Sequence, residues 1–186
     1  MFKISAMTHL KLNDVAPTFE VKDQHGTLVS SEQLKGKNYV VYFYPKDLTP
    51  GCTTQACNLR DNYTQLTEKG IEVFGVSMDS EAMHTKFIEK HELPFTLLAD
   101  TDRKMIDAFG VWGTKKFMGK VYDGIHRTTF VINTENKIIG IIEKPKVKEN
   151  AEEILEIYNN NGYKVRVRCH AYHSFSGLGK SFEKIF

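Results

Sequence analysis

The sequence predicts an α/β fold, a central mixed β-sheet flanked by helices. Three observations carry that reading. Tyr39–Tyr44 is a nearly unbroken apolar run rich in β-formers, as expected of a strand covered on both faces. Apolar strand-like runs then alternate with segments of helical spacing, the pattern of a sheet with helices packed on it. Near the end, Thr128–Asn133 and Lys137–Glu143 flank Thr134-Glu135-Asn136, the signature of a hairpin, so part of the sheet is antiparallel.

The elements follow in order. Thr18–Lys22 is β-rich and runs into a turn at Asp23–Gly26. Ser30 and Ser31 lead into a short turn ending at Gly36. After the first long strand, residues 53–69 read as a helix stopped by Gly70. Ala56, Leu59, Tyr63 and Leu66 recur at helical spacing, with Cys52 one turn earlier on the same stripe. Ile71–Ser77 is the next strand. Ser80 caps a helix through Glu92 that carries Met83, Phe87 and Ile88 on one side. Phe95–Ala99 is a short strand, Asp102–Phe109 a helix, and Glu149–Tyr158 an amphipathic last helix. A thioredoxin-like arrangement is the simplest that accommodates this order. Residues 1–161 are read as one such domain.

Composition excludes several classes. The chain has 186 residues, 41% hydrophobic and 26% charged, enough for one sizeable core. A formal net charge of +2 argues for neither nucleic acid nor membrane binding. No stretch approaches the roughly 18 apolar residues of a membrane span. The start is too short and polar for a signal peptide, and Met7 offers a second start that would make residues 1–6 an incidental leader. Three cysteines are too few, and odd in number, for a secreted disulfide scaffold. A reducing cytoplasm is expected, where a close cysteine pair is more often catalytic or metal-binding than structural.

The most informative stretch is Tyr42-Phe43-Tyr44-Pro45-Lys46-Asp47-Leu48-Thr49-Pro50-Gly51-Cys52, followed by Cys57. It runs a strand into a Pro-rich turn and delivers Cys52 to a helix start. Unpaired amides and a partial positive charge there favour a thiolate. At neutral pH a free thiol is only about 3% ionised. Full ionisation would therefore gain only about 30-fold, against the 10⁶-fold or more that enzymes typically supply. The site must also align the oxidant and stabilise charge on the leaving oxygen. Thr49 supplies a hydroxyl that can donate and accept. Pro50-Gly51 permits a tight turn that brings amides near a substrate, and Pro45 can limit water. Arg127, just before a strand, is a candidate fixed cation; spacing does not place it beside Cys52.

Five residues along a helix turn through about 140° net and rise about 7.5 Å. Cys52 and Cys57 would then lie about 8–9 Å apart at Cα, beyond the ~7 Å limit for a disulfide. Bonding them requires the first turns to unwind. The cycle expected is oxidation of Cys52 to a sulfenic acid, then condensation with Cys57 and release of water.

These residues resemble a known family. Pro45-x-x-x-Thr49-x-x-Cys52 looks like the peroxiredoxin active-site signature, and the stretch from Tyr42 to Tyr63 resembles the bacterioferritin comigratory protein, or PrxQ, subgroup. Ala16-Pro17-Thr18-Phe19, Lys22–Gly26, Leu93–Asp100, Phe109–Gly113 and Gly124–Phe130 are similar to its characteristic segments, over roughly residues 7–160. The resemblance implies a thioredoxin-like fold and thiol-dependent reduction of hydrogen peroxide and organic hydroperoxides. It implies Cys52 as the peroxidatic and Cys57 as the resolving cysteine. Thr49, Gly51 and Arg127 would bind the peroxide, with Thr49 and Arg127 polarising it, and Pro45 would shield the site. It implies thioredoxin or a similar dithiol protein as reductant, no metal or organic cofactor, and a monomer or weak homodimer.

From Gly162 the chain departs from that pattern. Residues 162–186 hold five Lys or Arg against one acid and read as a basic, poorly ordered tail of unknown role. Cys169-His170-x-x-His173 is a weak metal signal without a second ligand pair. Other readings stay open from the residues alone. A protein disulfide exchanger is disfavoured by the missing CxxC, a metal module by the absence of zinc-type spacing, and a redox-sensing interaction protein remains compatible.

Overall fold

The computed structural model describes residues 8–117, 119–160 and 165–168. Strands β1 (Glu20–Lys22) and β2 (Leu28–Ser30) form a small antiparallel pair. A 3₁₀ turn at Ser31–Leu34 leads into β3 (Asn38–Phe43). Helices α1 (Pro50–Asp61) and α2 (Tyr63–Glu68) precede β4 (Ile71–Ser77). Then come α3 (Glu81–His91), β5 (Thr96–Ala99) and α4 (Lys104–Ala108). A hairpin of β6 (Trp112–Phe117) and β7 (Lys120–Ile125) follows. The described chain closes with β8 (Thr128–Ile132), β9 (Ile138–Glu143), α5 (Asn150–Asn159) and β10 (Val165–Arg168).

The main sheet has the order β10-β9-β8-β3-β4-β5. β3, β4 and β5 run parallel, β8 is antiparallel to both β3 and β9, and β10 is parallel to β9. The sheet is therefore mixed, as predicted. Its two faces explain the unbroken apolar run of β3. Tyr39, Val41 and Phe43 enter one core with Phe130, Ile132 and, from α4, Ile106. Val40 and Tyr42 enter the other with Ala56 and Leu59 of α1, Leu66 of α2, Phe87 of α3 and Ile154 of α5. Alternation is visible only in which core each residue joins, because both faces are covered. Leu59 and Leu66 are fully buried, each contributing about 1.5–3 kcal/mol on burial.

Several elements differ from the sequence expectation, among them β2, which the sequence reading did not predict. The helix read over 53–69 starts earlier, at Pro50, and is split at Asn62. The Asn62 side-chain amide donates to the Asn58 carbonyl at 2.9 Å, and such local bonding competes with a regular helix. The β6–β7 hairpin had no sequence signal, because Lys115, Lys116 and Lys120 break any apolar alternation. Val165–Arg168, assigned to the tail, forms β10 on the sheet edge, its valines alternating with arginines at strand period. Residues 1–6, read as an incidental leader, the second start Met7, and Cys169-His170-x-x-His173 lie outside the described residues. No helix among the described residues is long and apolar enough to cross a membrane.

Candidate active site

Register assembles the site. Phe43, the last residue of β3, pairs with Thr128, the first of β8. The chain leaving β3 toward Cys52 and the chain arriving through Arg127 therefore meet at one end of the sheet. Cys52 is the third residue of α1 and only 2% exposed. The first helical bond of α1 runs from the Thr53 N–H to the Thr49 carbonyl at 2.9 Å. The amides of Gly51 and Cys52 precede it and lack an acceptor within the helix.

Arg127 Nη2 donates to Cys52 Sγ at 3.1 Å. Arg127 Nη1 donates to Gln55 Oε1 at 2.5 Å, so both prongs of the guanidinium are fixed on α1. Gln55 is itself oriented: its Nε2 donates to Asn150 Oδ1 at 2.8 Å, and Thr129 Oγ1 donates to the same oxygen at 3.1 Å. Gln55, Asn150 and Thr129 are all fully buried. With Asn150 Oδ1 taken as acceptor by two donors, the Gln55 amide has one orientation, and its carbonyl oxygen faces the arginine.

The structure brings Cys52, Arg127, Thr49 and Gly51 to one place. The Thr49 hydroxyl donates to the Lys46 carbonyl at 2.9 Å. Its proton is committed there, which leaves the lone pairs of the oxygen able to accept. A methyl on Gly51 would lie 3.5 Å from Arg127 Nη2, in the space before the guanidinium. Pro45, half-buried, follows Tyr44 at the start of the same loop. Cys57 lies apart on a half-buried face of α1, beside Thr53, Thr54, Asn58, Asp61 and Lys148. Both thiols are free and the helix between them is intact.

Sequence reading missed Gln55, although it sits three residues after Cys52 and so shares its side of the helix. It also missed Asn150, about 100 residues away, for which no local signal exists. Lys115 of β6 is a further cation near the site. Its Nζ donates to the Ile125 carbonyl at 2.9 Å. Burial, then the positive charge of Arg127, lowers its ammonium below the ordinary lysine range, while Cys52 opposes that shift. Among the described residues no group of three or more His, Cys, Asp or Glu could hold a metal ion.

The AhpC/TSA family model matches residues 12–141. The chain belongs to this family. It is 46% identical over 149 residues to the peroxiredoxin Bcp of Escherichia coli strain K12, covering 80% of this chain and 96% of that one. It is 47% identical over 147 residues to the peroxiredoxin Bcp of Bacillus subtilis strain 168, covering 79% and 94%. Among solved structures it resembles peroxiredoxin Q of Xanthomonas campestris, with a TM-score of 0.75 at 30% identity over 85% of this chain and 100% of that one. It also resembles BcpB of Mycobacterium tuberculosis, with a TM-score of 0.73 at 32% identity over 82% and 98%. This AhpC/TSA protein is thus a peroxiredoxin of the Bcp/PrxQ type with a thioredoxin-like fold, an oxidoreductase that reduces peroxides with thiols.

Proposed function

We propose that Cys52 is the sulfur that reacts with peroxide and that Cys57 resolves it. The Cys52 thiolate attacks the distal oxygen of a hydroperoxide. The S–O bond forms as the O–O bond breaks, and the departing alkoxide or hydroxide takes a proton from water. Arg127 stabilises charge on the sulfur and the leaving oxygen, the Gly51 and Cys52 amides add donors, and Thr49 accepts from the peroxide O–H. Pro45 shields the loop side. Gln55 keeps the guanidinium from rotating away.

Cys57 then attacks the Cys52 sulfenic acid, the S–O bond breaks and water leaves. A dithiol protein such as thioredoxin reduces the disulfide by exchange and is itself oxidised. Hydrogen peroxide and organic hydroperoxides are the proposed substrates; a Xanthomonas campestris relative is described for alkyl peroxide reduction. We place the chain in the cytoplasm, where such a dithiol is maintained, as a monomer or weak homodimer.

The observation that carries this reading is the 3.1 Å bond from Arg127 to Cys52 Sγ at the start of α1. It puts a fixed cation on a cysteine already at the positive end of a twelve-residue helix. Peroxide consumption by Cys52→Ser with thioredoxin and its reductase tests it. Loss of turnover is expected; retained turnover would assign the chemistry to another group.

A further inference from the structure

A second buried polar cluster lies behind the Pro45–Thr49 loop, and the chemistry above does not use it. Asp47 and His84 have side chains that are 0% exposed. Asp47 is held on three sides. Its Oδ1 accepts from the Tyr44 hydroxyl at 2.6 Å, its Oδ2 lies 2.8 Å from His84 Nδ1, and its backbone N–H donates to Asp79 Oδ2 at 2.8 Å. Asp79 is steadied in turn by the Ser77 hydroxyl at 2.8 Å. Burial, above all, raises the Tyr44 phenol well above its ordinary range, so it remains a donor.

The far side of the imidazole meets the sheet. His84 Nε2 is 3.1 Å from the Leu98 carbonyl in β5. A carbonyl only accepts, so Nε2 carries a proton and donates. On its near side Nδ1 faces the Asp47 carboxylate at 2.8 Å. The ring thus ties the loop to a strand through two directed bonds.

The loop it ties is strained. Leu48, next to Asp47, has φ +59° and is 38% exposed. A leucine adopts that left-handed conformation only where its surroundings impose it. Little burial rewards Leu48 there. The anchored Asp47 on one side and the start of α1 on the other hold it in place, and Thr49 is the next residue.

We propose that His84 is a positioning residue for the peroxide step, acting through Asp47 to fix the loop that presents Thr49 and the first turn of α1. The proposal rests on Cys52 being the reacting sulfur. Remove the imidazole and the Asp47 carboxylate loses a partner while Leu48 can relax. Thr49 then drifts from its place beside Cys52, although no group touching the peroxide has changed.

The test is the second-order rate constant for peroxide oxidation of the reduced full chain, by stopped flow, in His84→Leu, His84→Asn, Asp47→Asn and the double variant His84→Leu/Asp47→Asn. His84→Leu and Asp47→Asn are each expected to lose at least tenfold. The double variant should lose no more than the worse single one. His84→Asn, whose amide can donate near the Nδ1 position, should stay within about threefold of wild type. Ile138→Ala, in the core on the opposite face of the sheet, controls for stability alone. It should lower the melting temperature and keep the rate. Should His84→Leu not fold, Asp47→Asn decides. A wild-type rate in either folded variant, or an equal slowing in Ile138→Ala, overturns the proposal. Peroxide consumption by Cys52→Ser would instead overturn the reading beneath it.

Discussion

The Asn58 side-chain Oδ1 accepts from the Ala151 backbone N–H at 2.8 Å, so a residue of α1 caps the N-terminus of α5. Glu149, at the cap position of α5 itself, makes no side-chain cap bond. Asn58 Nδ2 also donates to the Lys148 carbonyl at 2.9 Å and to Glu152 Oε2 at 3.1 Å. Asn58 directly follows Cys57. Any unwinding of α1 that brings Cys57 to Cys52 must strain or break this latch.

Asn58→Ala should therefore speed disulfide formation. A lost cap costs about 0.5–2 kcal/mol of stability. The part of that loss that the opened state does not share appears as a faster opening, on the order of several-fold. Stopped-flow measurement of the step after sulfenic acid formation checks the rate. Mass spectrometry should find less sulfinic acid on Cys52 under excess peroxide. An unchanged rate would mean that α1 opens without releasing Asn58.

Arg127→Lys should slow the peroxide step about 10²-fold, the order seen when one oxyanion donor is removed. An ammonium is a point charge and cannot bond Cys52 and Gln55 at once with fixed geometry. Gln55→Leu should lower the same rate constant less, by about tenfold, because the charge stays and only its orientation is lost. Rate constants against peroxide concentration check both.

Thr49→Ser should keep activity near wild type, and Thr49→Val should lose on the order of tenfold or more. Serine preserves the bond to the Lys46 carbonyl and the lone pairs toward the substrate; valine preserves neither. Equal rates for the two variants would remove the hydroxyl from the peroxide step.

The hairpin of β6 and β7 was invisible because its sequence carries lysines where an apolar strand was sought. The body was legible for the opposite reason. β3, β4, β8 and β9 bury apolar side chains on both faces, and the periodic stripe of α1 reports one core. Cys52, Cys57, Pro45, Thr49 and Gly51 could be picked out as candidates because they lie within thirteen residues, a single strand–turn–helix stretch. Arg127 was a candidate by type and family likeness only; its contact with Cys52 spans 75 residues and depends on the register of β3 with β8. Gln55, Asn150, Asp47 and His84 act through buried bonds to distant elements, and composition and spacing do not encode these.

Acid should weaken the fold through His126. Burial, with Lys115 and Lys144 adding repulsion, lowers its imidazole below 6.5. The unfolded chain then binds more protons between the lowered folded value and 6.5. Stability contributed by neutral His126 is full above 6.5 and is lost as pH falls through that window. His126→Gln should show a smaller drop in urea-unfolding stability between pH 7.5 and 5.5 than wild type. An identical drop would place the sensitivity elsewhere, with His91, lowered chiefly by burial, the next group to test.

Removing residues 162–186 should leave the peroxide rate within about twofold. The strand it deletes, β10, lies at the sheet edge beyond β9 and β8, whereas the loop with Thr49 and Cys52 follows β3. A modest fall in melting temperature is expected from the lost edge pairing. A large loss of activity would show that the terminal segment serves the site.

The most direct measurement traps the first oxidised species. Cys57→Ser, treated with one equivalent of hydrogen peroxide and then dimedone, should carry the adduct on Cys52. An adduct on Cys169, or peroxide consumed while Cys52 remains an unmodified thiol, would contradict the account.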